Sequence, residues 1–77
     1  MTATTTTDPA SRSASSWSAM LASLKSRGAP DTDARVIEAR QGLAYHRVLR
    51  SVERDGAELS KPGVDRLVSQ LRQAVSR

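Results

Sequence analysis

Apolar residues recur at helical spacing in three blocks, separated by Gly, Pro and polar runs. In the first block Trp17, Met20, Leu21 and Leu24 stand at i, i+3, i+4 and i+7, which gathers four side chains on one helix face. Ser15 or Ser16 can cap this helix by accepting from an unpaired backbone N–H, while Gly28 and Pro30 close it, so the spacing predicts a helix over 16–27. Asp31, Thr32 and Asp33 offer three consecutive caps for a second helix over 34–54. At 100° per residue its apolar side is Ile37, Ala44, Tyr45, Val48 and Val52, flanked by Val36, Leu43 and Leu49. Gly42 interrupts it, either to admit a close neighbour or as a weak point costing about 1 kcal/mol relative to Ala. The third block, Val64, Leu67, Val68, Leu71, Ala74 and Val75, is a clean stripe behind the cap Ser60 and the first-turn Pro62, and predicts a helix over 61–76.

The pattern is therefore all-α: a small three-helix bundle with the second and third helices antiparallel, or a helical hairpin plus a short N-terminal helix. Residues 1–15, rich in Thr and Ser and without periodicity, read as a disordered tail ahead of a single helical domain over 16–77. A chain of 77 residues buries a modest core, and these apolar faces are broad for so little chain. Self-association or binding of a protein partner would cover them.

Composition removes most chemistry. Cysteine is absent and His46 is the single histidine, so disulfides and thiolate metal sites are excluded and no metal or cofactor is expected. The carboxylates Glu38, Glu53, Asp55 and Glu58 are scattered, and no phosphate-binding glycine loop or nucleophile–base pairing stands out. We expect no catalytic residues, no small-molecule substrate and no enzyme activity, with His46 a solvated residue on the polar side of the second helix. No apolar run has the length of a membrane span and the N-terminus lacks a secretory signal, so the cytoplasm is the expected compartment.

Charge adds one candidate. From Ala34 onward there are nine basic and five acidic residues, so the net charge of +4 lies in the second half. Arg40, Arg47, Arg50 and Arg54 share one side of the second helix, and guanidinium rows bind phosphates or acidic protein surfaces. The third helix adds Arg66, Ser69, Gln70, Arg72 and Gln73, with Arg77 beyond them, side-chain types that read base edges. The candidate nucleic-acid or acidic-partner contacts are thus Arg40, Arg47, Arg50, Arg54, Arg66 and Arg72, and a DNA-associated regulatory factor is the alternative reading. Ten of the twelve bases are Arg in an Ala-rich chain, a bias that a GC-rich genome also produces. Trp17, with Met20 and Leu24, reads either as a core residue over the other helices or as a protein-interface anchor.

The run Trp17 to Leu24, the segment Asp33-Ala-Arg-Val-Ile-Glu-Ala-Arg40 and Leu59-Ser-Lys-Pro before a Leu-rich helix together resemble a set of small helical proteins. These occur in actinobacteria and their phages or mobile elements and carry "W…L…L", "DPRVxEAR" and "PLTxEQRxxL". The resemblance spans Trp17 to Leu71. It departs at Ala34, where the set has Pro, and at Ser60-Lys61-Pro62-Gly63, which replaces "TxEQ". It implies a helical, non-enzymatic protein in a bacterial or phage setting, and no activity or site residue comes with it.

Overall fold

The computed structural model describes residues 7–76. It contains three α-helices, α1 (Ala14–Ser26), α2 (Ala34–Asp55) and α3 (Lys61–Val75), with short 3₁₀ turns at Pro9–Ser11 and Gly56–Glu58. The chain is all-α and no strand occurs among the described residues. The expected tail over residues 1–15 falls partly outside them, at residues 1–6. Its remainder is structured, because Asp8 caps the first 3₁₀ turn by accepting from the Ala10 N–H at 2.9 Å. Helix α1 then starts two residues earlier than its apolar pattern, since Ser13 accepts from the Ser16 N–H at 3.1 Å.

The α1–α2 connection is fixed from both ends. Gly28 has φ +85, and the Gly28 and Ala29 N–H groups return to the Lys25 and Leu24 carbonyls at 3.0 Å, a Schellman closure. Asp33 caps α2, accepting from the Arg35 N–H at 2.8 Å. Between them Asp31 holds both Lys25, 2.8 Å, and Arg40, 2.9 Å, so one carboxylate ties the end of α1 to the second turn of α2.

Helix α1 packs on α2 and buries Trp17, Leu24, Val36 and Ala39, with Gly42 closing the core. Trp17 and Val36 are fully buried. A buried indole withdraws 150–250 Å² from water, on the order of 5 kcal/mol at about 25 cal/mol per Å². That is comparable to the whole net stability of a domain this size, roughly 4–10 kcal/mol.

Helix α3 stands apart. No Cα of α3 comes within 8 Å of α1 or α2, closer than which packed helices ordinarily approach. None of its residues is buried, and the radius of gyration, 15.0 Å, exceeds the roughly 11 Å of a compact chain of this length. The packed hairpin is therefore α1–α2, and the antiparallel α2–α3 pair expected from the sequence is open.

Candidate interaction face

The core decides which side of α2 is left over. A Cβ built on Gly42 would lie 2.4 Å from Cε2 and 2.5 Å from Nε1 of Trp17, so the indole rests directly on the glycine backbone. Trp17 is further fixed by Nε1–H donating to the Pro9 carbonyl at 2.9 Å, while the Arg12 guanidinium sits 5.6 Å from the ring centroid. The α1-facing side of α2 is thus Val36, Ala39 and Gly42, not the stripe of Ile37, Val48 and Val52 that the apolar spacing selects. Those three residues are 43–49% exposed. Small residues carry little weight in a hydrophobic pattern, yet they are what allows a Trp to approach a helix axis.

His46 also departs from expectation. It is half-buried, and its Nε2 lies 2.7 Å from the Arg12 carbonyl. A carbonyl only accepts, so Nε2 carries the proton. Together with the Trp17–Pro9 bond this straps residues 9–12 across the α1–α2 core. Sequence reasoning missed it because the partner is a backbone carbonyl 34 residues away.

The exposed stripe of α2 faces the stripe of α3 across an open groove. Val48 and Val52 line one wall, Leu59, Val64, Leu67, Val68 and Leu71 the other, with Ser51 and Asp55 at its edge, around a volume of about 430 Å³. The large apolar residues of α3 are 40–82% exposed. Ser60 caps the start of α3, accepting from the Gly63 N–H at 3.1 Å.

The anchor candidates Trp17 and Leu24 are buried in the α1–α2 core and so offer no surface to a partner; Met20 beside them is half-exposed. The arginine row is divided. Arg40 is committed to Asp31 and Arg54 pairs with its neighbour Asp55 at 3.3 Å. Arg47 and Arg50 are exposed and form no ion pair among the described residues, as do Arg66 and Arg72 on the separate α3. At 100° per residue, Arg47, Arg50 and Arg54 continue the azimuth of Val36 and Leu43 beyond the reach of α1. The row therefore extends the packed side of α2 rather than opposing it.

Carboxylates near the α1–α2 turn are perturbed. Hydrogen bonding from Lys25, reinforced by the charge of Arg40, lowers Asp31 below its ordinary 3.8. Asp33 is lowered to about 2, first by the Arg35 side chain and then by the Arg35 backbone N–H. Asp33 in turn raises Arg35. These are structural ties of a helix cap and lie away from the groove. No described helix is long and apolar enough to cross a membrane. No family model, curated protein or solved structure matches the chain.

Proposed function

We propose that the chain is a small non-enzymatic helical interaction module that binds a protein surface through the open face of α2 and α3. The observation that carries this reading is α3 itself, a capped amphipathic helix of 15 residues with no buried residue. An isolated helix of that length is marginal in water, and its stability in proteins comes from covering its apolar face. The test is amide hydrogen exchange of α3 in the full chain, across a protein-concentration series and with Leu67→Asp/Leu71→Asp. Protection that grows with concentration and disappears in the variant supports the reading. Strong α3 protection in a strict monomer would mean that α3 closes on its own α2, and overturns it.

A second reading, contact with nucleic acid, rests on Arg47 and Arg50, which are exposed and form no ion pair among the described residues. Retention on duplex DNA at low salt, lost in Arg47→Glu/Arg50→Glu, supports it, because phosphate contacts weaken steeply with salt. No retention at low salt excludes it.

A further inference from the structure

We infer that the occupant of the α2–α3 groove is a second copy of this chain, joined through an antiparallel α3–α3 contact about a two-fold axis. This rests on the interaction reading above and adds the partner and its orientation.

Area is the first argument. Val48, Val52, Leu59, Val64, Leu67, Val68, Leu71 and Val75 remain 38–82% exposed. For residues of their size this leaves on the order of 700 Å² of mostly apolar surface, near the roughly 800 Å² that each partner contributes to a standard-size interface. The seven of them that line the groove supply most of it, the upper end of the 300–600 Å² of the largest patch on a typical monomer. The groove, about 430 Å³ between two apolar helix faces, is one that the apolar face of a further helix covers. The chain carries one such uncovered helix, α3 itself, and an isologous contact lets each copy's α3 enter the other's groove.

Charge gives the orientation. At 100° per residue, Asp65 and Arg72 lie on the same edge of the α3 stripe, seven residues apart. The point midway between them falls between Val68 and Ser69, near the middle of the Val64–Val75 stripe. In an antiparallel pair, like edges face one another, so Asp65 meets the partner's Arg72 and Arg72 meets the partner's Asp65. One axis thus centres both the apolar stripe and two opposite-charge pairs. A parallel pair would set this edge against the opposite one, which carries Arg66 and Gln70 and leaves Arg72 facing no acid. Among the described residues Asp65 pairs with Lys61, one turn before it and highly exposed, at 3.5 Å, and Arg72 forms no ion pair.

The experiment is sedimentation equilibrium of the full chain, of Asp65→Arg and of Arg72→Asp, separately and as an equimolar mixture. Far-UV ellipticity and Trp17 emission serve as folding controls. The wild type is expected to dimerise. Each variant sets two like-charge pairs across the axis and should raise the dimer dissociation constant roughly ten-fold. Mixing them re-creates both opposite-charge pairs and should restore the dimer, an outcome that a helix merely weakened by substitution would not give. A dimer indifferent to these variants, or variants that fail to recover on mixing, overturns the antiparallel seat. A strict monomer with unprotected α3 amides overturns the second copy while leaving the interaction module standing. A strict monomer with protected α3 amides overturns both.

Discussion

Gly42→Ala adds one methyl group beneath the Trp17 indole. That carbon would stand 2.4–2.5 Å from three ring atoms, about 1 Å inside the closest approach that carbon atoms tolerate. The ring has little freedom to yield, because α1 carries it rigidly and the Pro9 carbonyl holds its N–H at 2.9 Å. Overpacking of this kind costs about 1–3 kcal/mol, and a lost Trp17–Pro9 hydrogen bond adds about 1. Alanine returns roughly 1 kcal/mol through its better helix propensity. The net expectation is a destabilisation of about 1–3 kcal/mol, or roughly 5–15 °C in melting temperature for a domain this size. The assay is thermal unfolding at fixed protein concentration, followed by the emission of the single Trp. Native emission should also shift to longer wavelength as the ring is pushed toward water. Gly56→Ala is the control: its φ is −58 and its added carbon would meet only Val52 at 3.7 Å, so it should leave the melt unchanged or raise it. A Gly42→Ala protein that melts with or above the wild type, with unshifted emission, would refute this account of the core.

Gly28→Ala forces a side chain into the left-handed region at φ +85, and should cost about 1–2 kcal/mol in chemical denaturation, with Gly28→Asn losing less. His46→Ala removes the donor to the Arg12 carbonyl; the melting temperature should fall by the equivalent of about 1 kcal/mol, with faster proteolysis between Ser11 and Ser13 than elsewhere. Asp31 and Asp33 titrate below their unfolded value of 3.8. The unfolded chain therefore binds more protons in that range, and their contribution is complete above about pH 4 and lost as the pH falls toward 2. Melting temperatures between pH 5 and 2 should drop in the wild type and drop less steeply in Asp33→Asn; equal slopes would separate this cap from the acid transition.

The helices were legible because each carries its own boundary signals. Ser60, Asp33 and the Gly28–Pro30 pair act within a few residues of the backbone groups they satisfy, so α2 and α3 begin where the sequence places them. Partnership between helices was not legible. The strongest apolar stripe of α2, through Ile37, Val48 and Val52, is the exposed one, and the buried side is built from Val36, Ala39 and Gly42. A hydrophobic pattern scores side chains, whereas this contact depends on the lack of one. For the same reason the mid-helix glycine read as an ambiguity until Trp17 was seen above it. The arginine row shows a different limit: spacing aligned Arg40 with Arg47, but only the fold brings Asp31 across the turn to occupy Arg40. What remains of that row is Arg47 and Arg50.

The separation of α3 from the Trp17 core has a thermodynamic consequence. Two parts that share no buried contact have no reason to unfold in one cooperative step. The indole reports the α1–α2 hairpin alone, while helical ellipticity also counts the 15 residues of α3. In a lone chain the two signals should describe different transitions. Anything that seats on α3 would draw them together, so the gap between the two curves measures how far α3 has been incorporated into a larger fold.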